Sequence, residues 1–399
     1  MRILHVSTYY FPWIGYQEFY LAREQVRSGH DVLVATSNYR WPADAALGYA
    51  ALKESGKSRE MPVGPATEYG ISTVRHRVSL SLKGRLFMAG LGETIRQFRP
   101  HAIHAHGFLL PSTFQVAFAR RRQDFRLVVD EHQLPHQAVS GRLHRIQRYS
   151  VAALGRALIL PVTDALVAVA DGARDWLVQA YHCPGDRVQT IPLGADIEMF
   201  RPDALSGQSI RKDLALDLSS RLILYSGKIA ATKRIDVLVR AVASLPSRLK
   251  TTLLLVGPAN DEALASLQQT ATENGVQLIV KPAVPPQELA HYFNAADVCA
   301  WPADCTISHL EAAACGKPII IPGEPGIQDR ISAGNGLPVA VGDVAALANA
   351  LELILSNDVL RNKMGEAGRQ LVVDRYSWGA ISQQFIKLYG GEHAAHVTG

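Results

Sequence analysis

Cysteine, aromatic residues and long hydrophobic runs are all scarce in this chain, and each shortage excludes a class of protein. The four cysteines, Cys183, Cys299, Cys305 and Cys315, have neither Cys-x-x-Cys spacing nor the paired-loop spacing of a disulfide framework. They read as reduced thiols of a cytosolic protein, three of them in or beside buried elements. The longest apolar run, near residues 151–162, is interrupted by Gly155 and Arg156, so no membrane-spanning helix is predicted. The opening MRILHVSTYYFP reads as a first strand and lacks the long apolar stretch of a signal peptide. What remains is 48% hydrophobic and 19% charged, the balance of an ordinary globular chain with a full core.

A length of 399 residues suggests two domains. The net charge of +5 is uneven: residues 1–200 hold 23 Lys and Arg against 17 Asp and Glu, and the remainder holds 18 against 19. An electropositive first half points to an anionic partner there, such as a membrane surface, a phosphorylated lipid or an acidic polymer. No nucleic-acid partner is expected.

The first 36 residues run strand, turn, helix, strand, a βαβ unit. Its turn, Pro12-Trp13-Ile14-Gly15-Tyr16, has a single glycine and no Gly-x-Gly-x-x-Gly, so the dinucleotide fingerprint is absent. Gly15 is either a turn glycine or a place where backbone N–H groups approach a phosphate. Residues 40–72 are loop-rich, and residues 86–98 read as one helix. Two short strands end in histidines: His104 and His106 would share a face, and His132 follows the next strand. The pair lacks an evident third ligand, so no metal site is expected. His132 is the better candidate for touching a sugar hydroxyl or a phosphate. Residues 141–160 are helical with Arg142, Arg145 and Arg148 every third position, which reads as a membrane-surface face or a solvated helix edge. A polar stretch at 203–220 separates this series from a second alternation of strands and helices. Two doubly wound α/β domains facing across a cleft are predicted.

The second series is organised around residues 296–322, a buried strand, a loop, a short helix from about Ser308 and another buried strand. Glu311 stands on that helix among Ala312, Ala313, Ala314 and Cys315. Ligands of such sheets bind beyond the carboxyl ends of the strands. The carboxylate therefore reads either as a ligand for a hydroxyl-rich anion such as a nucleotide, or as a solvent-facing acid on a packed helix.

In order, the fragments RSGHDVLVAT, IHAH, VAVADGARDWL, IPLGADIEMFRPD, YSGKIAATKRIDVLVRAV, FNAADVCAWPADCTISHLEAAACGKPIIIP and RYSWGAISQQF resemble the retaining glycosyltransferases of GT-B fold, the family-four, group 1 type. The likeness covers nearly the whole chain. It implies two Rossmann-like domains: 1–200 on the acceptor side, 201–375 binding the nucleotide-sugar, and a closing segment 376–399 whose helix crosses back to the first. It implies that Lys228 and Lys233 grip the donor diphosphate, where fixed cations stabilise the charge that grows as the glycosidic bond breaks. With lysines in that role, and no Asp-x-Asp anywhere, the resemblance implies a metal-independent reaction with no cofactor beyond the donor. Glu311 matches the second acid of the family's Glu-x7-Glu motif, which holds the ribose hydroxyls. Gly15 matches part of an N-terminal glycine pair near the phosphates, and His132 a position that approaches the transferred sugar. Cys305, Thr306, Ile307 and Ser308 would cradle the donor through backbone N–H groups. The chain departs from the pattern at Ala303, where the first acid belongs, at Tyr16 in place of the second glycine, and at Leu193 in place of an asparagine before Gly194. The implied activity is transfer of a hexosyl group from a UDP- or GDP-sugar to a lipid-linked or cell-envelope glycan, in the cytoplasm at the inner membrane face. A weakly active partner subunit of a polysaccharide assembly and a sugar-nucleotide epimerase are the alternatives.

Overall fold

The computed structural model describes residues 1–40, 58–82, 85–133, 142–217, 219–303, 307–324 and 326–391. Two compact units emerge. The first contains residues 1–45, 54–193 and 378–399, and the second contains 46–53 and 194–377.

The first unit is built on strands β1 (Arg2–Ser7), β2 (Asp31–Ser37), β3 (Gly64–Glu68), β4 (Ile71–His76), β5 (Val78–Leu82), β6 (Arg85–Met88), β7 (Ala102–His106), β8 (Arg126–Glu131), β9 (Ala165–Ala168) and β10 (Val188–Thr190). Eight of them form one sheet in the order β10-β9-β8-β7-β1-β2-β4-β3. It is parallel except for β3, which pairs antiparallel with β4. Central strands such as Ile3-Leu4-His5-Val6 are wholly buried because helices cover both faces. Each fully buried Leu or Ile contributes about 1.5–3 kcal/mol of transfer free energy. The helix Trp378–Gly390 packs within this unit, where Trp378 stacks on Tyr20 with ring centroids 5.0 Å apart.

The second unit carries β11 (Arg221–Ser226), β12 (Thr251–Val256), β13 (Gln277–Lys281), β14 (Val298–Ala300), β15 (Ile319–Pro322) and β16 (Gly336–Val339). They form a single six-stranded sheet, ordered β13-β12-β11-β14-β15-β16 and parallel throughout. Its core is aliphatic, with Leu222, Ile223 and Leu224 and Ile319, Ile320 and Ile321 fully buried. The mixed α/β fold with parallel sheets in two domains is as predicted.

Two local readings need correction. Residues 64–68 are strand rather than loop: an edge strand leaves one side of its backbone free of the ladder, so Pro65 is tolerated there. Residues 86–98 are not one helix. Arg85–Met88 is strand β6, and the helix Leu91–Phe98 begins only after Gly90, whose φ of 81° breaks helical geometry.

Candidate functional site

In each sheet the strand order reverses once, between β1 and β7 in the first and between β11 and β14 in the second. A parallel sheet opens a crevice outside the carboxyl ends of its strands at such a reversal. Gly15, Lys228, Lys233 and Ile307 fall between these strands and the helices that follow them, Ser308 and Glu311 lie on the helix after β14, and His132 follows β8.

In the second unit, β11 runs into Gly227, Lys228 and a 3₁₀ turn at Ala231–Lys233 before the helix Ile235–Ala243. The loop is pinned from several sides. Gly227 N–H donates to Val256 O at 3.1 Å, Ile229 N–H to Pro258 O at 2.8 Å, and Tyr225 O–H to Lys228 O at 2.9 Å. Gly257 is the contact point beneath it, since a Cβ there would stand 1.9 Å from Gly227 O. Lys228 is exposed and Lys233 partly buried. Across the reversal, Trp301 Nε1–H and Ser308 Oγ–H both donate to Ser226 O, at 2.8 and 3.2 Å. These bonds tie the Ser308–Ala314 helix to the strand end that launches Lys228. Ile307 precedes that helix, and its carbonyl accepts the Glu311 N–H at 3.2 Å. Glu311 is partly buried, and desolvation, with the Asp196 carboxylate second, pushes its carboxyl up to about 8. Ala303, at the departure from the acidic motif, is buried. Cys305 and Thr306 lie outside the described residues.

In the first unit the β1–β7 reversal is lined by histidines. His104 and His106 do share a face, their ring centroids 4.2 Å apart. His106 Nδ1–H donates to Asp130 Oδ2 at 2.7 Å, and Gly107 N–H donates to Asp130 Oδ1 at 3.0 Å. His104 Nε2 and His132 Nε2 lie 3.1 and 3.3 Å from the same Oδ2. Burial would raise the Asp130 carboxyl, but His106, His132 and His104 outweigh it and hold it well below the usual carboxylate range. Burial would likewise lower His132. Asp130, then Glu131 and Glu18, override that and leave it raised. His104, desolvated and facing His106, drops to about 4. Behind it His5 Nδ1 meets His106 Nε2 at 3.0 Å, His5 Nε2 meets Gln25 Oε1 at 2.8 Å, and the Tyr389 hydroxyl meets His104 Nδ1 at 2.8 Å.

Two trios in this cluster, His5/His104/His106 and His106/Asp130/His132, have donor atoms within 4.8 Å of one another, close enough for a metal ion. Both ring nitrogens of His5 and both of His106 are nevertheless engaged in hydrogen bonds within the cluster.

Gly15 turns the chain into the helix Gln17–Arg27 with φ of 78°, and a Cβ on it would meet the Tyr20 hydroxyl at 2.6 Å. Only glycine fits. Glu18, in that helix's first turn, was not singled out by the sequence. Desolvation raises its carboxyl, and His106 and His132 act against that rise, which puts it within their electrostatic reach. Its only local signal is a carboxylate at a helix N-terminus, a commonplace pattern. Of the basic stripe, only the Arg148 side chain falls among the described residues. Arg148 is partly buried over the Trp176 ring, 5.0 Å from its centroid, where a cation–π contact holds it. The side chains of Arg142 and Arg145 lie outside the described residues. Among the described residues, no helix is long and apolar enough to cross a membrane.

Comparison with known proteins agrees with this architecture. Residues 15–199 match the family described as Glycosyltransferase Family 4, and residues 207–371 the one described as Glycosyl transferases group 1. Anabaena Alr3699/HepE, solved in complex with UDP, superposes with a TM-score of 0.72 at 17% identity, covering 98% of this chain and 100% of that one. Sucrose-phosphate synthase from Thermosynechococcus elongatus gives 0.69 at 22% identity, covering 98% of both chains. A Xylanimonas cellulosilytica protein named D-inositol 3-phosphate glycosyltransferase is 30% identical over 246 residues, 59% of this chain and 59% of that protein. One of the same name from Thermobispora bispora is 28% identical over 330 residues, covering 77% of this chain and 76% of that protein. The fold is GT-B. The chain belongs to the group 1 glycosyltransferases.

Proposed function

We propose that the protein transfers a hexosyl group from a UDP- or GDP-sugar, with retention of anomeric configuration, to a lipid-linked or cell-envelope glycan at the inner membrane face. The observation that carries this reading is the β11 loop. A lysine pair stands beyond a strand end that is bonded to the Ser308–Ala314 helix, and that helix carries Glu311. Lys228 and Lys233 bind the donor diphosphate and offset the charge that develops on the leaving nucleotide. Glu311 accepts the ribose hydroxyls, and backbone N–H groups of residues 305–308 complete the cradle. On this reading the cations do the work of a divalent metal and none is needed. Gly15 lets the backbone of the first unit approach the donor phosphates, and His132 contacts the transferred sugar. The leaving phosphate itself takes the proton of the acceptor hydroxyl, so no carboxylate nucleophile is required.

The names of the relatives add one acceptor to test, inositol 3-phosphate. Incubation of the purified protein with radiolabelled UDP- and GDP-hexoses, membrane extract and inositol 3-phosphate tests the proposal. Labelled product in the lipid or glycan fraction supports the acceptor named above, and product only with inositol 3-phosphate replaces it. Detection of neither transfer nor donor hydrolysis would count against the whole reading.

A further inference from the structure

The excess basic charge of the first half has a location that the proposed reaction does not use. At the amino ends of the parallel strands, the opposite end from His106 and His132, lies an open cavity of about 670 Å³. Arg2 opens β1, His101 precedes β7, Arg126 opens β8 and Asp164 precedes β9, and all four line it. Arg96, Arg99 and Arg120 join them from neighbouring helix ends.

The charges do not cancel. The cavity's two acids, Asp124 and Asp164, both face Arg120, at 3.1 and 3.9 Å. Arg96 pairs with Glu93. Arg2, Arg99 and Arg126 have no acidic partner among the described residues. Two of these three are held in place: Arg2 Nε–H donates to Arg99 O at 2.7 Å and Arg126 Nε–H to Leu388 O at 2.6 Å. The frame beneath is stiff, because Arg2 N–H donates to His101 Nδ1 at 2.8 Å and Arg126 N–H to His101 O at 2.9 Å. Fixing a guanidinium through Nε leaves its two Nη groups to act as a fork, the geometry that matches phosphate oxygens.

We infer that this cavity is a second binding site, for a multiply charged anion of the phosphate class, remote from the glycosyl-transfer site. Two sources offer that chemistry, a soluble phosphate or pyrophosphate compound and the headgroup of an anionic lipid. The inference stands apart from the proposed reaction, because none of its residues takes part in it.

The test titrates inorganic pyrophosphate by calorimetry into the full chain carrying Lys228→Ala and Lys233→Ala, which removes the proposed donor-phosphate contacts. Saturable binding is expected. Arg99→Asn, a change at an exposed position, should weaken it about tenfold, and adding Arg126→Gln should weaken it further. Arg121→Gln with Arg122→Gln removes equal charge from adjacent exposed positions outside the cavity and should leave it unchanged. Parallel sedimentation with phosphatidylcholine vesicles, with and without phosphatidylglycerol, separates the sources. Vesicle binding abolished by Arg99→Asn identifies the headgroup, and pyrophosphate binding alone identifies the soluble ligand. Absence of both, or equal weakening by the two arginine pairs, overturns the inference.

Discussion

His132 Nε2 stands 3.3 Å from Oδ2 of the fully buried Asp130, which orients one imidazole at the mouth of the first unit's crevice and raises its pKa. The same oxygen also meets His106 and His104, so a single carboxylate contacts three rings. Asp130→Asn should therefore lower the His132 pKa and cost about 3–5 kcal/mol of stability, the penalty of breaking a buried pair on one side. The pH dependence has a defined sign. The raised His132 contributes stability fully below its unfolded value of 6.5, and loses it as pH rises through the higher folded value. The depressed Asp130 contributes stability above 3.8, and loses it as pH falls through its lower folded value. Histidine NMR titration together with urea unfolding checks this. A His132 titration unmoved by Asp130→Asn would contradict it.

Gly257→Ala tests whether the Lys228 loop depends on its support. The new Cβ would stand 1.9 Å from Gly227 O, so the backbone of one loop must move. A stability loss of about 1–3 kcal/mol is expected, as for overpacking elsewhere. Weaker UDP or GDP binding should accompany it, although residue 257 need not touch the ligand. A thermal melt and a nucleotide titration of one preparation measure both. Full nucleotide affinity in a destabilised variant would separate the loop's support from its role.

Lys228→Ala and Lys233→Ala should each reduce kcat/KM by roughly 10²–10³, the usual effect of removing one preorganised charge stabiliser. Lys228 is exposed, so its removal should leave the melting temperature nearly unchanged. Steady-state kinetics with the donor varied is the check. Turnover within a factor of about two of the parent would remove the lysines from the mechanism.

Glu311 gives a proton-coupled prediction. Its carboxyl, raised to about 8, is largely protonated in the free protein at neutral pH, whereas ribose hydroxyls are best accepted by a carboxylate. Nucleotide binding at pH 7 should therefore release about one more proton from the parent than from Glu311→Gln. Calorimetry in buffers of different ionisation enthalpy counts these protons. Stability should also fall as pH rises from the unfolded value of 4.5 towards about 8, because the folded chain holds this proton more tightly. That slope should vanish in Glu311→Gln.

Sequence alone made the second unit easier to read than the first. Its strands are continuous aliphatic runs bounded by glycines, and the β11 lysine loop and the Glu311 helix are local features of 10–15 residues. The first unit's site is assembled from distant positions. The Tyr389 hydroxyl meets His104 across 285 residues of chain, and His5 meets His106 across 101. No periodicity or spacing records such pairings, so the histidines were visible but their shared aspartate was not. Glu18 was missed for the same reason. Strand β3 escaped because Pro65 looks like loop punctuation unless the sheet edge is known, and β6 because its apolar residues run on into the helical spacing beyond Gly90.

The central claim is retaining hexosyl transfer from a nucleotide-sugar, and product stereochemistry tests it most directly. A UDP- or GDP-α-hexose turned over by the purified chain should give, by proton NMR of the first product formed, an α-linked sugar. An initial β product, or no turnover and no nucleoside diphosphate binding across both donor series, would contradict the account.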